Sequence, residues 1–114
     1  MFNQILPHVI PVSNDIVDDN PLIISNEDDF AKLNDKSWSS IIVKEKLFKE
    51  MKDELILNDY PHVQFIHIQR ESFENISSLT ISNLSELKIL TVEDESFWYT
   101  TSLTLSSIFS LMFI

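Results

Sequence analysis

The sequence predicts a mainly β chain, built as a short solenoid of about three 24-residue coils with two short strands in each, preceded by a short helix. Two observations carry this. Residues 63–114 repeat with a period of 24: Glu71-Ser72-Phe73 recurs as Glu95-Ser96-Phe97, and Ser78-Leu79-Thr80-Ile81-Ser82 as Ser102-Leu103-Thr104-Leu105-Ser106. The same apolar columns extend back to Trp38. A fixed period of this length implies stacked units, because one such unit cannot bury its apolar face alone.

Residues 1–21 have no clear period, are punctuated by Pro7, Pro11 and Pro21, and carry Asp15, Asp18 and Asp19. They read as a lead-in or linker, with a single domain at 22–114. Ser25 and Asp28 have the spacing of a capping box, and Phe30 and Leu33 then share one face of a helix over roughly 26–34. The first strand of each coil follows Trp38-x-x-Ile41-x-Val43, Val63-x-x-Ile66-x-Ile68 and Leu87-x-x-Leu90-x-Val92. An aromatic comes five residues later, at Phe48, Phe73 and Phe97. The second strand is Leu55-x-Leu57, Leu79-x-Ile81 and Leu103-x-Leu105, and Tyr60, Leu84 and Ile108 close the coils. The alternation places every second residue inward. The first coil is one residue longer than the others. Residues 44–53 fit two readings, a helix with Leu47, Phe48 and Met51 on one side, or the bend that carries Phe48.

This pattern of L-x-x-L-x-L, a Ser-Phe pair, a second L-x-I strand and a closing leucine resembles the leucine-rich repeat family, most closely its short-coil, BspA-like repeats. The resemblance covers about 38–114. It implies a right-handed solenoid that serves protein–protein contact without catalysis. Gln69 and Glu93 stand where that family often has glycine, and the asparagine ladder of longer repeats is missing.

Composition narrows the function classes. The formal net charge is −10, and acid is concentrated outside residues 36–54. An acidic surface repels phosphate, so no nucleic-acid partner is expected. There is no cysteine, hence neither a disulfide framework nor a thiolate metal site. There is also no glycine, which removes phosphate-cradling loops and the nucleophile elbow. Turns that need positive φ must then use Asn or Asp, with Asn58-Asp59, Asn75, Asn83 and Asp94 as candidates. No basic segment precedes an apolar one at the start, so no secretory signal is expected and the chain is placed in the cytoplasm.

No catalytic residue, metal site or cofactor is expected. His62 and His67 lie five apart, a poor spacing for shared ligation. Glu93-Asp94-Glu95 lacks the alternation and the glycine of a calcium loop and reads as a solvated turn. The sequons at Asn75 and Asn83 read as turns. The candidate contact patch is the outer face of the first strands, with Ser40, Phe65 and Ile89 in one row and Ile42, His67 and Thr91 in the next. Contiguous exposed apolar residues suggest a protein partner. The outer face of the second strands, Ser78, Thr80 and Ser82 over Ser102, Thr104 and Ser106, reads as a wetted surface.

The function expected is therefore a non-catalytic repeat module for protein–protein interaction or scaffolding. One rival is a tail-anchored membrane protein using the uncharged run 96–114, whose length is near that of a spanning helix. Another is a truncated repeat fragment without independent function. Leu111 and Ile114 continue the Val63 and Ile66 columns, so the C-terminus is expected to leave an open apolar edge prone to self-association.

Overall fold

The computed structural model describes residues 18–106. Two parallel sheets enclose one core. The first contains β1 (Pro21–Ile24), β2 (Ser40–Val43), β4 (Phe65–Ile68) and β6 (Ile89–Val92), in the spatial order β1-β2-β4-β6. The second contains β3 (Glu54–Asn58), β5 (Ser78–Ser82) and β7 (Ser102–Ser106), in the order β3-β5-β7. Successive strands alternate between the sheets, so each passage of the chain forms a layer that lies on the one before. The inward side chains are the alternating aliphatics: Leu22 and Ile24, Ile41 and Val43, Leu55 and Leu57, Ile66 and Ile68, Leu79 and Ile81, Leu90 and Val92 are all buried. Tyr60, Val63, Leu84 and Leu87 close the layers from the side and are buried as well.

The register matches the apolar columns. Ser40 pairs with Phe65 and Phe65 with Ile89, while Glu54 pairs with Ser78 and Ser78 with Ser102. The first-layer offset is 25 residues at β2 and 24 at β3, so the extra residue of that layer lies between them. The backbone N–H of Ser77 spans it, donating to both Lys52 O (3.3 Å) and Asp53 O (3.0 Å).

The bends carry the unusual geometry. Residues 44–53 are not helical; they are a turn, as are the equivalent segments of the next two layers. Among the described residues eight have positive φ: Lys46, Phe48, Asp59, Glu71, Phe73, Asn83, Glu95 and Phe97. Of the turn candidates named from sequence, Asp59 and Asn83 adopt it, whereas Asn58, Asn75 and Asp94 do not. Glutamate, lysine and phenylalanine take the remaining positions. A left-handed non-glycine residue costs about 1–2 kcal/mol, so each must be compensated.

The compensation is visible in the hydrogen bonds. The N–H groups of Lys46, Asp59, Glu71 and Asn83 donate forward to the next layer, at Arg70 O, Ser82 O, Asp94 O and Ser106 O, over 3.0–3.3 Å. The N–H groups of Phe73 and Phe97 donate backward, to Leu47 O (2.9 Å) and Ser72 O (3.2 Å). The left-handed conformation turns a peptide that would otherwise lie along the bend toward the neighbouring layer. The phenylalanines gain burial too. Phe48, Phe73 and Phe97 are 0–3 % exposed and stack nearly parallel, with ring centroids 4.7 and 5.5 Å apart. Burying a phenylalanine contributes about 1.5–3 kcal/mol, which exceeds the backbone cost.

Serine completes the bend. Ser72 and Ser96 are fully buried, yet each hydroxyl is satisfied by the preceding layer. Ser72 Oγ donates to Lys44 O and accepts from Leu47 N, and Ser96 Oγ donates to Gln69 O and accepts from Ser72 N. The first layer has no bend beneath it and carries Leu47 at this position. Thr100 acts similarly, its buried hydroxyl donating to Ile76 O.

The first end of the stack is closed by a 3₁₀ helix, Glu27–Asn34. Its capping box is Asn26 with Asp29, one residue beyond the Ser25–Asp28 pair expected. The Asp29 carboxylate accepts from Ser25 N and Asn26 N and pairs with Lys32, and the Ser25 bond is the largest influence holding its pKa down. Phe30 packs on Phe48, Leu33 is buried, and the Glu27 carboxylate accepts the Phe48 N–H (3.0 Å), the donor for which no earlier bend exists. Tyr60 donates its hydroxyl to Leu33 O (2.7 Å), and the Lys36 ammonium lies 4.2 Å from its ring centre.

Three expectations need correction or placing. The strand β1 precedes the helix and was not expected; its Leu22 and Ile24 supply a further apolar layer, so the first sheet has four strands among the described residues. The run 96–114 is not one spanning helix, because 102–106 is a strand and Ser96, Phe97 and Thr100 are buried in a turn. The closing Ile108 and the edge residues Leu111, Met112, Phe113 and Ile114 lie outside the described residues, as does the lead-in up to residue 17.

Two predictions follow from the bends and the closed end. Glu95 is exposed and left-handed, with φ 67°. Glycine relieves that strain and alanine does not, so Glu95→Gly should exceed Glu95→Ala in stability by about 1 kcal/mol. Chemical denaturation of the two variants measures it, and an equal or more stable alanine variant would contradict the assignment. Burial pushes the Tyr60 hydroxyl up to about 12 from an ordinary 10.0. The unfolded chain therefore loses this proton first, and stability should fall as pH rises from about 10 through about 12. Tyr60→Phe should cost about 1 kcal/mol at neutral pH for the lost hydrogen bond and flatten that alkaline decline. An unchanged slope in denaturation above pH 10 would rule Tyr60 out as its source.

Candidate functional site

The outer face of the four-stranded sheet is formed by the residues between the buried ones. One row runs Pro21, Ser40, Phe65, Ile89, and the next runs Ile23, Ile42, His67, Thr91. Ile42, Phe65, His67, Ile89 and Thr91, the candidates from sequence, are all partly exposed on this face. Ile66 and Ile68 point inward, so the strand is not slipped by one. The structure adds Ile23, which is 45 % exposed and pairs with Ile42. The sequence signal was present, since Pro21-Leu22-Ile23-Ile24 alternates, but four residues after an aperiodic stretch did not stand out as a strand.

The apolar residues form a diagonal band. Ile23 and Ile42 lie in one row, and Phe65 and Ile89 continue the band in the other. Polar groups occupy the two remaining corners. In one, Ser40 is fully buried, because its hydroxyl and that of Ser39 both donate to Asp18 Oδ1 (2.7 Å each). Ser40 is thus not open surface, contrary to the expectation for its row. In the other corner, the Glu93 carboxylate engages the His67 ring and accepts the Arg70 N–H (3.3 Å). His67, paired with Thr91 across the strands, is thereby tied to the Glu93 carboxylate.

No protein family, characterised protein or solved structure matches the chain. The assignment of a site rests on geometry and chemistry alone.

The other groupings are weaker. At the start of the strands a groove of about 420 Å³ is lined by Asp19, Asn20, Ser37, Ser39, His62, Gln64 and Glu86. His62 belongs to this groove, whereas His67 is engaged by Glu93, so the two histidines do not converge on one ligand position. Among the described residues, one set of three potential metal ligands comes together: Glu71, Glu74 and Glu95, with ligand atoms within 4.8 Å of one another. Sequence reading did not group them, because they converge only when two layers stack. Two of the three already hold a cation: Lys49 Nζ lies 3.6 Å from Glu71 and 3.9 Å from Glu74. Desolvation would raise the Glu71 pKa, but the Arg70 hydrogen bond and the charges of Lys49, Arg70 and Lys46 outweigh it and hold the carboxyl below its ordinary value. Glu71 and Glu74 thus belong to an ion-pair network with Lys49 and Arg70 that ties two bends together, with Glu95 beside it.

The outer face of the second sheet is polar as expected, with Ser78, Thr80 and Ser82 beside Ser102, Thr104 and Ser106. Ile56 of β3, 45 % exposed, is its apolar exception. Asn75 and Asn83 sit in bends, where their side-chain amides bond to Lys49 O and to the Asp59 carboxylate. Among the described residues no helix is long and apolar enough to cross a membrane.

Proposed function

We propose that the chain is a non-catalytic, leucine-rich-repeat-like right-handed solenoid that binds another protein through the outer face of its four-stranded sheet. The carrying observation is the contiguous apolar diagonal Ile23–Ile42–Phe65–Ile89 on a chain of net charge −10. These side chains stand on neighbouring strands of a hydrogen-bonded sheet, so little ordering entropy is lost when a partner covers them. Phe65 is the central anchor, large and partly exposed, with His67 beside it as a polar contact. The repeat reading is supported by the 24-residue register, the stacked Phe48–Phe73–Phe97 column and the Ser72 and Ser96 hydroxyls that bridge layers. The reading assigns no catalytic role to the histidines.

The test is a pair of variants on opposite faces. Phe65→Glu should abolish capture of a specific partner from the native source, weakening it at least about 30-fold, the loss expected at an interface hot spot. Thr80→Glu, on the second sheet, should leave capture unchanged. Both variants should unfold at denaturant concentrations close to that of the parent. Retained capture by a folded Phe65→Glu chain would move the binding surface elsewhere.

A further inference from the structure

The two ends of the stack differ. At the first end, the 3₁₀ helix covers the core through Phe30 and Leu33. At the other end, β7 pairs with β5 alone among the described strands. Its inward residues are incompletely covered: Leu103 is partly exposed and Leu105 is 37 % exposed, whereas the equivalent Leu55, Leu57, Leu79 and Ile81 are buried. Tyr99, on the bend leading to β7, is 60 % exposed.

This edge is also free of charge. No acidic or basic residue occurs between Glu95 and the end of β7, in a chain of net charge −10. The charged residues of the same end, Lys88 and Glu93 to Glu95, flank β6. Two copies of an acidic chain repel each other over most of their surfaces. The β7 edge is where they can approach without that cost.

We infer that β7 is a contact between two copies of this chain, paired antiparallel about a two-fold axis. An exposed strand edge offers unpaired N–H and C=O groups to a further strand, and the half-covered leucines beneath gain burial when one arrives. Head-to-tail stacking is disfavoured, because at the opposite end the 3₁₀ helix already covers the core through Phe30 and Leu33. What remains is the isologous contact, which closes at two copies. The surface lies away from the Ile42–Phe65 face, so the dimer would present two binding faces. This inference does not depend on the proposed function.

Light scattering of the full chain at increasing concentration tests it. The mass should rise from 13.3 kDa to twice that value and go no higher. Thr104→Lys, at the middle of β7 and outward-facing, puts like charges opposite each other and should hold the chain at the single mass. Thr80→Lys, on the same face one strand inward, should still double. An equal mixture of Thr104→Lys and Thr104→Glu chains should restore the doubled mass, which separates charge at the contact from damage to the fold. A parent chain that stays single at every concentration would overturn the inference. So would a mass that grows without limit, or doubling that survives in Thr104→Lys.

Discussion

A chain with no glycine must still turn sharply twice in each layer, and the way it does so governs the rest of the structure. Eight of the described residues accept the left-handed conformation, and for seven of them the amide is aimed out of its own layer, four onward, two back and one to the Glu27 carboxylate. The strain is local, while the hydrogen bonds it makes are long-range. Glycine would relax the bends but would also leave them freer in the unfolded chain. Phenylalanine at the second left-handed position makes the bend itself part of the core. Its backbone cost is exceeded by the burial and stacking of three aligned rings.

The ends of the stack follow from the same rule. A bend that expects a neighbour leaves a donor unsatisfied where the neighbour is missing, and a buried unsatisfied donor costs about 1–3 kcal/mol. At the first end the helix answers this twice, with Glu27 on the Phe48 amide and Leu33 O under the Tyr60 hydroxyl. The Ser-Phe pair becomes Leu47-Phe48 there, because a serine hydroxyl would find no carbonyl below it. Sequence variation between layers thus reports position in the stack. The closing Tyr60 is a further instance, since Leu84 occupies the same column where no helix needs to be reached.

The strands and their inward residues were legible in the sequence because alternation and a 24-residue period are independent signals that agree. Phe73, Phe97, Tyr60 and Leu84 fall where those columns place them, and the face bearing Ile42, Phe65, His67, Ile89 and Thr91 follows from the same alternation. What was not legible depends on contacts between layers. Propensity favours Asn and Asp for positive φ, but Glu71 and the phenylalanines adopt it because the adjoining layers fix the peptide direction. Residues 44–53 carry a helical apolar spacing, yet the Phe48 column outweighs local preference. The strand β1 is too short to show a period by itself, and with it Ile23 and the Asp18 cover over Ser40 escaped notice. The convergence of Glu71, Glu74 and Glu95 likewise exists only after stacking.

The surface proposed for binding inherits its rigidity from these bends, since Phe65 and His67 lie between two bonded strands and the Glu93 carboxylate is held on the Arg70 amide. The central claim is that the left-handed peptides join the layers. Native-state amide hydrogen exchange measures this most directly. The amides of Lys46, Glu71, Phe73, Asn83 and Phe97 should be protected to nearly the same degree as those of β4 and β5, opening only with the whole fold. Exchange of these five amides at the rate of free loop residues, with the strands still protected, would contradict the account.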